Sequence, residues 1–134
     1  MRSGGINWLA VIAGAVAFYL IGFLIYGMIV PEEMWMQLTG MTDEQKAIAQ
    51  GRMAFGPLMP LASAVFLALL FKWGGVGDAG KGVRWAAVVA LASAVPAMWY
   101  GWVYGGMPAE MTLIDSAHLF LGHVAAGAII GGWR

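Results

Sequence analysis

Asp115, His118 and His123 are ionisable side chains inside one apolar stretch, Leu113–Trp133. An Asp near the middle of a membrane span costs about 2.5–3.5 kcal/mol on insertion scales, so such groups turn toward a bundle interior or water. His118 stands three residues past Asp115, on the same helix face, where the two can pair. His123 follows five residues later, about 140° round the helix and roughly 7.5 Å deeper. With Glu110 and Tyr104 just ahead of the stretch, these groups suggest a polar route for protons, an ion or a small solute. Asp115 and His118 would form its mouth and His123 its deep station. The alternative is packing, with each histidine hydrogen-bonded to a neighbouring carbonyl, hydroxyl or tyrosine. A haem between the histidines is disfavoured, because two ligands facing different ways on one helix hold one iron only if subunits share it.

A second donor set is soft. Seven of the ten methionines cluster near the Pro-acid turns and the segment between residues 30 and 53. Met34-Trp-Met36 has a spacing at which thioethers can share Cu(I), with Met107 and Met111 as further donors. Gap filling and anchoring of interfacial helices explain the same residues without a metal. The sequence holds no nucleophile–base constellation, phosphate loop or HExxH zinc motif, so no enzymatic activity is expected. GGVGDAGKG (residues 74–82) is rich in glycine but lacks the phosphate-cradle order, and reads as a turn. Without cysteine there are no disulfides and no thiolate sites. No cofactor is implied, and a net charge of zero gives no footprint for nucleic acid.

The elements that must position these groups follow from composition. Of 134 residues, 61% are hydrophobic and 10% charged. Soluble domains carry about 25% charged residues, so this chain lacks the polar surface to sit in water. Four stretches of roughly 20 residues match bilayer thickness. They are 8–30, 53–73, 85–104 and 113–133. The first is too long for a signal h-region and reads as a retained span. Arg2, Lys72, Lys81, Arg84 and Arg134 fall at the two ends and the second connection. Only Lys46 and Arg52 lie in the first connection. This bias predicts both termini and the second connection on the cytoplasmic side of a bacterial inner membrane. Trp8, Trp73, Trp85 and Trp133 mark one boundary of the four stretches. Trp35, Trp99, Trp102, Tyr26, Tyr100 and Tyr104 mark the other, as expected of aromatic belts.

Tyr26–Met34 (YGMIVPEEM) and Tyr104–Met111 (YGGMPAEM) are near copies. Trp8 precedes Pro31 by 23 residues, and Trp85 precedes Pro108 by 23. The fold expectation is an all-α membrane protein of four transmembrane helices, arranged as two parallel-repeat hairpins. Short interfacial helices should occupy the first outer connection. Pro followed by acid suits a helix start, where carboxylates meet the positive end of the dipole. Pro31-Glu32-Glu33 should open a short helix ended by Gly40, and Thr42–Gln45 reads as a capping box for another. Pro108-Ala-Glu110 should open the last span. Ser93, Ala97, Gly101 and Gly105 form one small-residue stripe and Gly127 and Gly131 another, for packing within the bundle or between subunits. Pro57, Pro60 and Pro96 should start or kink helices.

INWLAV, Gly22 with Tyr26-Gly27, Trp35 with Leu38–Met41, Leu113-Ile-Asp115 and the terminal Trp133 resemble the bacterial membrane-protein family known as domain of unknown function 1761. That resemblance covers most of the chain and implies four spans in a bacterial membrane. It implies no activity. The functional expectation is an ion, proton or small-solute pathway. The alternatives are a structural or accessory subunit and, last, copper binding at the outer face. Expected partners are the lipid bilayer, further copies in a homo-oligomer and a possible membrane partner protein.

Overall fold

A computed structural model describes residues 2–133. After a short antiparallel pairing of β1 (Arg2–Ser3) with β2 (Ile6–Asn7), it is helical. The elements are α1 (Trp8–Leu24), α2 (Glu32–Thr39), α3 (Asp43–Arg52), α4 (Leu58–Trp73), α5 (Ala79–Val89), α6 (Val95–Gly105) and α7 (Ala109–Gly132). A π-helical turn, Ile25–Ile29, extends α1, and another, Ala90–Ala94, joins α5 to α6.

Three helices are long and apolar enough to cross a membrane: Trp8–Ile29, Ala79–Gly105 and Ala109–Gly132. At 16 residues, α4 is about 24 Å long, short of a hydrocarbon core of about 30 Å. Gly56 and Pro57 interrupt the helix ahead of it. The stretch Asp43–Phe55 meets α4 at a 41° bend, and the two make a fourth crossing only if taken together. The expected second span, 53–73, is therefore an unbroken α-helix only from Leu58 onward.

Caps set the other boundaries. Pro31 and Pro108 both stand at helix N-caps in extended geometry, with Glu32, Glu33 and Glu110 in the first turns of α2 and α7. Gly40 ends α2 in the left-handed conformation, at φ 61°. Thr42 and Gln45 form a reciprocal capping box on α3. The expected span 85–104 lies in a helix that begins at Ala79, ahead of Trp85, because the Asp78 carboxylate accepts a hydrogen bond from the Lys81 backbone N–H at 2.8 Å. The expected span 113–133 lies in a helix that starts at Ala109, ahead of Leu113, because Pro108 caps it.

α7 packs along α1 and α5 and touches α4 and α6. Phe71, Val11, Val76 and Ala86 are buried in the core, while Ile12, Phe23, Phe66, Val88 and Leu121 are exposed. An apolar perimeter around an apolar core is membrane-like. Asn7 Nδ2 donates to the Trp133 carbonyl at 2.8 Å, and the approach of Lys72 to Gly5 and of Asp78 to Gly131 closes the same end. The starts of α1 and α5 and the ends of α4 and α7 are therefore together. Tyr26, Glu32, Lys46 and Asp115 gather at the opposite end.

Candidate functional site

The site is built on the seam between α1 and α7. Gly14, Phe18, Gly22 and Tyr26 repeat every four residues along α1, and His118, Gly122, Ala126 and Ile130 do so along α7. Three of the large side chains, Phe18, His118 and Ile130, each meet a glycine. A Cβ at Gly22 would stand 2.7 Å from His118 Nε2, one at Gly122 2.1 Å from the Phe18 ring, and one at Gly14 3.1 Å from Ile130. Glycine lets the two backbones close on these rings.

Where the seam reaches the far end of the bundle, Tyr26 lies in the π-helical turn. Its O–H donates to Asp115 Oδ1 at 2.5 Å. The extra residue of a π turn rotates the succeeding residues relative to an α-helix, and such turns recur at functional sites. Asp115 takes this tyrosine as its partner, in place of the pairing with His118 expected from their three-residue spacing. The His118 ring instead stands edge-on to Tyr26 (5.2 Å between centroids) and to Phe18 (5.6 Å).

His123 is buried, with Nδ1 2.7 Å from the Leu119 carbonyl. Nδ1–H is then the donor, which leaves Nε2 free to accept. Phe18 stands edge-on to this imidazole as well, at 5.0 Å, and so separates the two histidines. His123 lines a hollow of about 430 Å³ shared with Ser63, Phe66, Leu67, Trp73 and Val89, whose walls are apolar apart from Ser63 and the imidazole.

Beside Asp115 a cleft of about 430 Å³ opens at the far end. Tyr26, Trp35 and Met111 form its walls, and Asp115, Glu32 and Lys46 supply its charges. Lys46 is ion-paired with Glu32, which ties α3 to α2 across the cleft's rim.

The remaining sequence candidates are scattered. Glu110 is exposed, and Tyr104 is 80% exposed, stacked on Tyr100. Met34 is exposed, Met36 lines a surface depression with Pro31 and Glu33, Met107 lies against Gly101, and Met111 is buried at the cleft. Ser93, Ala97 and Gly105 are exposed and Gly101 half-buried, whereas Gly127 and Gly131 are buried against Gly82 and Ala86 of α5. Among the described residues, no three His, Cys, Asp or Glu side chains are grouped to hold a metal ion. Phe18, Gly22, Gly122 and Tyr26 were not among the site candidates read from sequence. Their signal was present as the four-residue alternation of glycine and aromatic on α1.

The arrangement defines an all-helical, membrane-like protein in which Tyr26, Asp115, His118 and His123 lie along one helix–helix seam below an open cleft. More particularly, the chain belongs to the family described as "Protein of unknown function (DUF1761)", whose model matches residues 9–131. No curated protein and no solved structure matches the chain.

Proposed function

We propose that the protein provides a pathway for a proton, an ion or a small solute across a bacterial inner membrane. The route would enter at the cleft, use Asp115, Tyr26 and His118, pass Phe18 and reach His123. The observation carrying this reading is the Tyr26–Asp115 hydrogen bond between two membrane-length helices, with an imidazole beside it and another beyond one ring. Polar groups at such depth are costly unless they serve a route or pair with one another. In this reading α4 and the bent stretch before it complete a fourth crossing. The two hairpins are parallel repeats, and both termini lie in the cytoplasm with the basic residues around Lys72, Lys81 and Arg84.

The test is flux. Purified protein in liposomes loaded with a pH-sensitive dye should dissipate an imposed proton gradient faster than empty liposomes do. His123→Leu should lower that rate about a hundredfold, at the lower end of what a positioned proton-transfer group contributes. A rate equal to that of empty liposomes, with protein and orientation verified, would refute the proton form; the same gradient assay with labelled solutes would address the others.

A second reading, a non-catalytic accessory subunit or homo-oligomer, draws on the exposed Ser93 of the π-helical turn and the exposed Ala97 and Gly105 of α6. Small residues on a lipid-facing surface let another helix approach closely. Copurification of a different membrane protein in fixed ratio, lost in Ala97→Leu, would favour it.

A further inference from the structure

The cleft's charges and walls together point to the chemistry of its occupant. Glu32 and Lys46 neutralise one another across the rim, and Asp115 adds a carboxylate at the floor, so the three groups carry one net negative charge. Asp115 is half-buried and Tyr26 occupies Oδ1, leaving the second oxygen free of that bond. Trp35 and Tyr26 place two electron-rich rings on the same walls, and Met111 adds a polarizable thioether. A volume of about 430 Å³ falls in the range of small-molecule sites. One carboxylate, two aromatic side chains and a balanced ion pair match a compact monocation with an apolar body. They match an anion or a dication poorly.

We propose that this cleft binds a small organic ammonium ion, its charge at Asp115 and its apolar substituents against Trp35 and Tyr26. The assignment deepens the pathway reading and rests on it for the fate of the bound cation, whereas binding itself is an equilibrium property of the cleft. An ammonium group reaches this face either as a free amine or as a lipid headgroup, and both carry the recognised chemistry.

The experiment uses choline and its uncharged isostere 3,3-dimethylbutan-1-ol. Each is titrated calorimetrically into the full chain in nanodiscs of phosphatidylglycerol, which contain no amine. Choline should bind at least about tenfold more tightly than the alcohol, since attraction to a carboxylate and to ring faces exists only for the cation. The ion pair then supplies a test of sign. Lys46→Gln frees Glu32 and should tighten choline binding about threefold at low ionic strength. Glu32→Gln frees Lys46 and should weaken it by about as much, as expected of one charge at the rim of a wet cleft. Both side chains sit on α2 and α3, outside the three membrane-length helices, so the bundle is retained. A bridge that only held α2 to α3 would change binding in the same direction in both variants, and that result would overturn the proposal. So would equal affinities for choline and the alcohol.

Repeating the titration in nanodiscs containing phosphatidylethanolamine separates the two sources. A weaker apparent affinity there assigns the cleft to a lipid amine, and an unchanged one to a free amine. Choline binding without flux in the liposome assay would leave the cleft standing and remove the pathway. Flux without choline binding would do the reverse.

Discussion

Replacing Gly82 by alanine should destabilise the bundle, although alanine is the better helix former. An added Cβ would lie 2.1 Å from the Gly127 carbonyl oxygen, with Gly131 Cα at 3.1 Å. Real Cβ contacts do not fall below 3.0 Å, so α5 must retreat from α7 by about 0.9 Å. A gap of that size forfeits about a quarter to a half of each dispersion contact across the seam, including those of Ala86 with Gly127. Overpacking of this kind costs about 1–3 kcal/mol, and removing a helical glycine returns about 0.5–1 kcal/mol. The expected net loss is about 1 kcal/mol. Gly51 in α3 supplies the control, because a Cβ there meets nothing within 4 Å, and Gly51→Ala should gain about 0.5–1 kcal/mol. Reversible unfolding of both variants in mixed micelles, followed by tryptophan fluorescence, measures the two signs. If Gly82→Ala proves as stable as the parent or more so, the backbone contact does not hold α5 to α7 as described.

Phe18→Leu should keep the fold while shortening the barrier between His118 and His123, and should raise the liposome proton flux; a fall in flux would mean the ring is part of the route. Tyr26→Phe removes the donor to Asp115 and should lower stability by about 1–2 kcal/mol in the same unfolding assay. Thr42→Ala breaks the capping box of α3 and should cost about 1 kcal/mol, seen as faster hydrogen exchange at the Gln45 amide. The Asp78 carboxyl titrates below its ordinary value because the Lys81 backbone N–H donates to it, with lesser contributions from the Lys81 charge. A depressed folded-state value adds stability above the unfolded pKa of about 3.9 and loses it as pH falls through the folded one. Asp78→Asn keeps the cap without the charge, so its stability difference from the parent should shrink on acidification below about pH 4.

Helix starts were legible because they are written in adjacent residues. Pro31, Pro108 and Thr42 each act within one turn, and the structure places each at an N-cap. The interruption at Gly56-Pro57 was legible in part: Pro57 reads as a helix start or kink and stands at the N-cap of α4, whereas hydropathy runs unbroken through 53–73 and sets the span's start too early. The partner of Asp115 was not legible from α7 alone. Spacing along one helix nominates His118, but the carboxylate is claimed by Tyr26, 89 positions earlier in the chain. Only the pairing of α1 with α7 brings them together, and the π-helical turn that aims Tyr26 leaves no mark in hydropathy. Gly127 and Gly131 could be read as close-packing positions, while the same spacing from Ser93 into α6 gave no sign that Ser93 and Ala97 would face outward.

The two Tyr-Gly…Pro-acid segments show how one local code acquires two roles. Both end a membrane-length helix and start another at Pro, as backbone chemistry requires in either setting. After Pro31 the chain has α2 and α3 before its next long helix, and these cover Tyr26 and build the cleft around it. After Pro108 the next residue already opens α7, so nothing remains to cover Tyr104, which is 80% exposed. The presence of α2 and α3 after Pro31, more than the tyrosine itself, therefore distinguishes the two segments. Deleting the Glu32–Lys46 bridge by substituting both partners should loosen that cover and expose Tyr26, measurable as faster iodination of Tyr26 with the rate at Tyr104 unchanged. Equal rates at Tyr26 before and after would mean that the tyrosine is held by Asp115 and His118 alone.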